Sequence, residues 1–168
     1  MSASRVVRVG EKWVFVETER VFYGESTVAI DDKGRLAIPT SYREPLSALC
    51  GNRLVITYNP FERECLWLFP QPEWERTRDA VMQLSSFNAA HRDLQRKLVG
   101  AAAKVELDGN GRILLPHTAR QVAALQKQGV LLGMGARFEL WSEAAQRARL
   151  ELPIDDKDIS DDMRQLRF

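Results

Sequence analysis

The sequence predicts an α+β fold with a mainly β core, assembled from two copies of one unit. The first observation is a repeat: the stretch "VAIDDKGRLAIP" at residues 28–39 recurs as "VELDGNGRILLP" at residues 105–116. The second is that apolar residues alternate on both sides of the polar centre of each stretch, which is the period of a strand with one buried face. The third is a length of 168 residues, 45% hydrophobic, enough for one compact domain or two small fused ones.

Each polar centre, "DDKG" at residues 31–34 and "DGNG" at residues 108–111, predicts a hairpin turn. Aspartate accepts hydrogen bonds from the backbone amides that follow it, and glycine readily adopts positive φ. After each second strand, "SYRE" at 41–44 and "TARQ" at 118–121 match the capping-box pattern, which predicts a short helix in each copy.

Two further strands follow each of these helices. "RLVI" at residues 53–56 corresponds to "GVLL" at 129–132, and "CLWLF" at 65–69 corresponds to "RFELW" at 137–141. Each unit therefore reads strand, turn, strand, helix, strand, strand over about fifty residues, near the lower size limit for an independent core. We expect the two copies to share one core.

Between the copies the sequence predicts two helices. Pro72 is typical of a first helical turn, Asn88 is a predicted N-cap and Gly100 is a predicted end. Apolar residues recur at helical spacing: Trp74, Val81 and Leu84 in the first helix, Leu94 and Leu98 in the second. The second helix also carries a basic face (His91, Arg92, Arg96 and Lys97), which we interpret as a solvated surface rather than a phosphate-contacting one.

The chain after Ser142 predicts one more helix, which ends at Pro153, followed by an acidic remainder that we expect to be mobile. The predicted organisation is an N-terminal extension (1–20), a first repeat (25–72), a helical linker (73–100), a second repeat (101–144), and a C-terminal helix with an acidic tail (145–168).

Several classes of chemistry find no support in the sequence. Cys50 and Cys65 lie too far apart for a metal or redox pair, and we predict that both are small buried residues. A calcium loop at either turn would need an acidic ligand where Tyr42 or Ala119 stands. The two histidines, His91 and His117, complete no recognisable catalytic triad, so we expect a binding protein with no enzymatic activity, small-molecule substrate, metal or cofactor.

The charge pattern is mild and uneven. The formal net charge is +1, but residues 151–168 hold six acids and three bases, so any nucleic-acid surface must arise from local geometry rather than bulk charge. No apolar run approaches the length of a membrane span, and the N-terminus has no apolar signal core, so we expect a cytoplasmic protein without membrane contact.

The repeated Asp-x-x-x-Arg pattern, Asp31 with Arg35 and Asp108 with Arg112, is the candidate site. An aspartate that accepts backbone amides can also hold the guanidinium four residues later, and a pre-oriented arginine suits bidentate recognition of guanine or phosphate. Lys33 adds a second donor to the first turn. The alternative is that each aspartate only stabilises its hairpin.

At these residues the sequence resembles the MraZ family, bacterial regulators associated with the division and cell wall gene cluster. The resemblance covers about residues 21–168 and rests on "YGESTVAIDDKGRLAIPTSYRE", "PQPEWE", "LSSFNAAHRDLQRKLVG" and "ELDGNGRILLP". It implies two tandem AbrB-like halves that form a double-split β-barrel. It also implies a ring-shaped homo-oligomer, with an octamer as one candidate size, located at the nucleoid.

The resemblance further implies that the motif turns bind repeated boxes of double-stranded DNA in promoters, including the protein's own. Carried over by position, Lys33, Arg35 and Arg112 are the DNA-contacting residues, and Asp31 and Asp108 orient the arginines. Gly34, Asn110 and Gly111 belong to the turns. The alternative function is a ring scaffold that binds protein partners, with DNA binding incidental.

The sequence departs from the family pattern at two places. Asn110 stands in the second turn where Lys33 stands in the first, which puts equal use of the two turns in doubt. Residues 1–20 precede the usual family start, and Val21 sits at the position of its initiator methionine. These residues are either an upstream start chosen for the reading frame or a genuine extension with its own strand in "KWVFVETER".

Overall fold

The computed structural model describes residues 5–9, 12–16 and 22–167. The prediction that concerns Val21, and the parts of the extension at 1–4, 10–11 and 17–20, lie outside the described residues. The strands are β1 (Arg5–Val9), β2 (Lys12–Val16), β3 (Phe22–Ala29), β4 (Arg35–Ala37), β5 (Arg53–Tyr58), β6 (Cys65–Pro70), β7 (Ala103–Glu106), β8 (Arg112–Leu114), β9 (Gln128–Gly135) and β10 (Arg137–Trp141). The helices are α1 (Thr40–Cys50), α2 (Gln71–Met82), α3 (Ala89–Leu94), α4 (His117–Val122), α5 (Glu143–Leu150) and α6 (Asp161–Arg164).

The predicted order of elements is present in both copies. The first copy runs β3, β4, α1, β5, β6 and the second runs β7, β8, α4, β9, β10. The strand predicted within the N-terminal extension is β2, which pairs antiparallel with β1. Helices and mainly antiparallel strands occur together, so the predicted α+β class is confirmed.

Six strands form one antiparallel sheet in the order β3-β9-β10-β6-β5-β7. Strands of the two copies interdigitate: β3 of the first copy pairs with β9 of the second, and β7 of the second pairs with β5 of the first. Neither copy could complete this sheet alone. The hydrogen-bonded strands of the described residues do not close into a barrel, so the predicted double-split barrel is not confirmed.

One hydrophobic core contains residues of both copies, which confirms the prediction of a shared core. Val28 and Leu36 of the first copy lie in the same buried cluster as Leu107 and Ile113 of the second. A second cluster, which includes Trp67, Phe69, Trp74, Leu98 and Trp141, contains residues of the sheet, of α2 and of the helical linker. Because apolar side chains of β6 belong to both clusters, all six residues of that strand are buried.

The capping boxes predicted for α1 and α4 are wrong. Each helix begins directly after a proline, Pro39 or Pro116, which is the N-cap residue and has no side-chain cap hydrogen bond. Both prolines combine φ near the value fixed by the ring with extended ψ of 138°. Because each chain leaves its short strand at this proline, the predicted cap residues Ser41 and Thr118 fall inside the helices.

The predicted linker and C-terminal helices are confirmed. Pro72 lies in the first turn of α2, and the side chain of Asn88 caps α3 by accepting from the backbone N–H groups of Ala90 and His91. A π-helical turn over Gln95–Gly100 continues α3. Ser142 caps α5, and the acidic tail contains a 3₁₀ turn at Asp156–Asp158 and the short α6, both exposed.

Both cysteines are buried and unpaired with each other, as predicted. Burial raises the pKa of the Cys65 thiol to about 12, so this thiol is an inert core group rather than a nucleophile.

Candidate nucleic-acid interface

The first motif forms a tight hairpin turn, residues 31–35, that is organised by one carboxylate. Asp31 Oδ1 accepts hydrogen bonds from the backbone N–H groups of Lys33 and Arg35, both at 3.0 Å. Its other oxygen, Oδ2, accepts from Nε of Arg35 at 2.7 Å. The backbone N–H of Gly34 also donates to the carbonyl of Asp31 at 2.9 Å. One side chain therefore fixes both the turn and the direction of the arginine.

The second motif, residues 108–112, repeats this geometry. Asp108 Oδ1 accepts from the N–H groups of Asn110 at 2.9 Å and Arg112 at 3.0 Å. Asp108 Oδ2 lies 3.0 Å from Nε and 2.9 Å from Nη2 of Arg112. Two carboxylate contacts hold Arg112, whereas the Asp31 carboxylate holds Arg35 through Nε.

Glycine is required at one position of each turn. Gly34 has φ of 80° and Gly111 has φ of 72°, in the left-handed region that side chains with a Cβ rarely adopt. A three-residue hairpin loop places glycine at this position, as predicted from the sequence.

Strands β4 and β8 join the two turns, which lie at opposite ends of one short antiparallel pair. They pair antiparallel with Leu36 opposite Ile113, and we call this pair of strands the ribbon. Leu36 and Ile113 are fully buried on its inner face. Because side chains alternate along a strand, Arg35 and Arg112 share the outer face. Arg112 Nη1 lies 3.9 Å from Asp31 Oδ2, so the arginine of the second turn also pairs with the aspartate of the first.

The backbone ties each turn to the opposite repeat. Ile38 N donates to the carbonyl of Gly111 at 2.9 Å, and Leu115 N donates to the carbonyl of Gly34 at 3.0 Å. These two bonds are equivalent under the repeat, so the ribbon has an approximate two-fold arrangement about the pair of Leu36 and Ile113. Residues that are remote in sequence therefore form a single site.

The hydrogen bonds lower the pKa of both aspartates. For Asp31 the largest cause is the backbone N–H of Arg35, and for Asp108 it is the backbone N–H of Arg112; the two guanidinium groups act in the same direction. Both carboxylates are therefore charged at neutral pH and keep their arginines oriented.

Two arginines of the site were not predicted from the sequence. Arg43 of α1 lies against Gly111, and Arg120 of α4 lies against Gly34, where an added Cβ would be 2.7 Å from the Arg120 Cζ atom. Each turn thus packs against an arginine from the other repeat. The signal was present in the sequence, because Arg43 and Arg120 have the same spacing as the two motifs.

The basic face of the linker is separate from these turns and makes local contacts. Arg92 Nη1 donates to the carbonyl of Ser86 at 2.7 Å, and Arg96 pairs with Asp93 at 3.1 Å. These contacts agree with the interpretation of a solvated helix surface.

Across the described ranges, the helices are all too short or too polar to cross a membrane.

Comparison with known proteins gives one consistent family. The family model described as "MraZ protein, putative antitoxin-like" matches residues 21–97 and 98–152. A protein of Xanthomonas oryzae pv. oryzae, named "Transcriptional regulator MraZ", is 50% identical over 148 residues, which is 88% of this chain and 100% of the relative.

Proteins of two further species give similar matches. The Stenotrophomonas maltophilia protein of the same name is 50% identical over 148 residues, again 88% of this chain and 100% of the relative. The Marinobacter nauticus protein, also of that name, is 46% identical over 145 residues, which is 86% of this chain and 97% of the relative.

Proposed function

The chain belongs to the MraZ family, and on this basis we propose that it is a transcriptional regulator that binds double-stranded DNA through the ribbon. The name of its curated relatives supports the regulatory role. A regulator of this kind acts in the cytoplasm at the nucleoid.

The observation that carries the proposal is the pair of fixed guanidinium groups on one outer face. A two-stranded β-ribbon is narrow enough to enter the major groove of B-DNA. Arg35, held at Nε by Asp31, keeps its Nη nitrogens as donors for a guanine edge or a phosphate. Leu114 lies opposite Arg35 on the same face and is 60% exposed, which suits apolar contact with a thymine methyl group.

We assign DNA contact to Lys33, Arg35 and Arg112, and orientation of the arginines to Asp31 and Asp108. Gly34, Asn110 and Gly111 maintain the turns. The two turns act unequally, because Arg112 is held by two nitrogens and Asn110 replaces the lysine of the first turn. The first turn supplies the larger share of the binding energy.

The proposal extends to the double-split barrel. The ribbon lies between the two edges of the six-stranded sheet: Asp31 N donates to the carbonyl of Arg35 at the end of β3, and Asp108 N donates to the carbonyl of Arg112 at the end of β7. These links join each sheet edge to one ribbon strand, which supports a closed arrangement split at two places. Within this arrangement we propose the repeats at residues 25–72 and 101–144, joined by the linker at 73–100.

We further propose a ring-shaped homo-oligomer that acts on repeated boxes, including those of its own promoter in the division and cell wall cluster. Several turns acting on neighbouring boxes raise avidity without strong charge on any one chain. Light scattering should find an assembly larger than the 19.1 kDa chain at micromolar concentration, and a stable monomer would contradict the ring.

A protein-binding scaffold is the second candidate function. Large exposed aromatic side chains favour it: Phe87 is 96% exposed and Tyr23 is 80% exposed. Such side chains are typical contacts between proteins.

The deciding experiment is a binding titration with labelled DNA from upstream of the protein's own gene. We expect saturable binding that survives excess unrelated DNA and weakens steeply with salt, with a slope of log K against log salt of about −0.9 for each phosphate contact. A slope near zero, or no binding at low salt, would favour the scaffold. Arg78, an exposed arginine of α2 beside Asp79, supplies the matched control as Arg78→Ala.

A further inference from the structure

A cleft of about 540 Å³ lies beside the first turn, and we infer that it binds a backbone phosphodiester of DNA next to the bases that the ribbon reads. Its charged and polar walls are Lys33, Lys104, Glu106, His117 and Arg120, and we call it the basic cleft. The inference rests on the proposed function and names a binding site that the motif turns alone do not contain.

The basic cleft is built from both repeats. Lys33 comes from the first turn, Lys104 from β7, and His117 and Arg120 from α4 of the second repeat. The hydrogen bond from Leu115 N to the carbonyl of Gly34 connects the two walls at 3.0 Å. The cleft therefore exists only because the ribbon joins the repeats, and it lies directly beside the outer face of the ribbon.

Arg120 has hydrogen-bonding capacity that the protein does not fill. Its Nε is buried and has no hydrogen-bond partner among the described residues. The equivalent arginine of the other repeat, Arg43, donates from Nε to the carbonyl of Ile38 at 2.8 Å. Buried donors are nearly always paired, so an unpaired arginine Nε at the wall of a basic cleft points to an anionic ligand.

The charge of the basic cleft has the sign that a phosphate requires. Three side chains, Lys33, Lys104 and Arg120, are cationic, and Glu106 is the one acid among the lining residues. The exposed Lys33 and Lys104 can follow a phosphate oxygen, while Arg120 is fixed by packing over Gly34. The imidazole of His117 adds a further polar group.

The corresponding positions of the other repeat lack this charge. Under the repeat, Lys33 becomes Asn110, Lys104 becomes Thr27 and His117 becomes Thr40; among the cations, only Arg120 has a cationic counterpart, Arg43. Phosphate attraction is therefore concentrated on the side of the first turn. A subunit should hold one flank of its box more tightly than the other and so read the box in one orientation.

The first experiment measures DNA affinity over a salt series for Lys104→Gln, Arg120→Gln and the double variant, with Arg78→Gln as the charge-matched control. Each lost phosphate contact should reduce the slope of log K against log salt by about 0.9, which corresponds to a loss of roughly 8-fold in affinity at 0.1 M salt. The loss should be the same for the promoter box and for unrelated DNA, because phosphate contacts carry no sequence information. Arg78→Gln should leave the slope unchanged.

Lys104 is exposed, so its variant tests the inference without a change in packing. Arg120→Lys keeps the charge but not the planar group over Gly34, and it should restore most of the slope lost in Arg120→Gln. If the wild type binds DNA and both cleft variants keep its slope, the cleft inference is wrong while the proposed function stands. If the wild type binds no DNA, the proposed function fails first.

The second experiment tests orientation with a single box in which individual phosphates are replaced by neutral methylphosphonates. We expect the replacements that weaken binding by the wild type to cluster on one flank of the box. The same replacements should change the DNA affinity of the Lys104→Gln, Arg120→Gln double variant little. Equal costs on both flanks, or equal costs in wild type and double variant, would overturn the inference.

Discussion

The Arg35→Ala variant tests whether Arg35 contacts DNA or only stabilises its turn. The side chain of Arg35 is 33% exposed, and it contacts Asp31 through Nε at 2.7 Å. Alanine keeps the backbone N–H that donates to Asp31 Oδ1, and the bond from Gly34 N to the carbonyl of Asp31 is also kept. The turn should therefore survive the substitution, and only the guanidinium is removed.

The two expected effects differ in size. Loss of a partly exposed ion pair outside the core should change the free energy of unfolding by about 0.5 kcal/mol, which lowers the melting temperature by roughly 1–2 °C for a chain of this length. Loss of a specific guanidinium contact with DNA costs about 1–3 kcal/mol, or about 5- to 150-fold in affinity for each site. In the proposed ring, the losses at several sites would compound. DNA binding should fail while the fold persists.

The assay compares thermal unfolding, DNA affinity and oligomer size for wild type, Arg35→Ala and the control Arg78→Ala. Arg112→Ala should resemble Arg35→Ala with a smaller loss of affinity, because the second turn has Asn110 in place of Lys33. The opposite outcome is that Arg35→Ala unfolds the protein or breaks the assembly, while the protein that stays assembled binds DNA with normal affinity. In that case Arg35 only stabilises the structure, and its assignment as a DNA-contacting residue is wrong.

Three further predictions use the same assays. Gly34→Ala should lower the free energy of unfolding by about 1 kcal/mol or more, because φ of 80° is strained for alanine. The control Gly109→Ala should leave stability unchanged, because nothing lies within 4 Å of its added Cβ. Equal effects of the two substitutions would contradict the geometry. Asn110→Lys should raise DNA affinity and steepen the salt slope by about 0.9, and an unchanged slope would exclude the second turn from phosphate contact. The lowered pKa values of Asp31 and Asp108 mean that their stabilising effect is complete above the ordinary aspartate pKa of about 4 and is lost as pH falls through the folded-state values. Urea unfolding should therefore show a steeper loss of stability below about pH 4 in wild type than in the Asp31→Asn, Asp108→Asn double variant.

Local chemistry made much of the fold predictable from the sequence. The strands, the helices of the linker and the positive-φ glycines depend on residues a few positions apart, such as Asn88 and the N–H groups of Ala90 and His91. The contact of Asp31 with Arg35 is of the same kind, since it spans four residues. The predicted capping boxes failed for a local reason as well, because the N-cap residues are Pro39 and Pro116, two positions before the predicted caps Ser41 and Thr118.

The arrangement of the candidate site depended on the tertiary structure. Two similar turns, each with an oriented arginine, could be predicted from the sequence alone because those interactions are short in range. Which strand edges meet is decided by burial of apolar faces across the whole chain, and the pairing of β3 with β9 and of β5 with β7 interleaves the repeats. That pairing and the ribbon carry Arg43 to Gly111 and Arg120 to Gly34, contacts between residues too distant in sequence for any local pattern to specify.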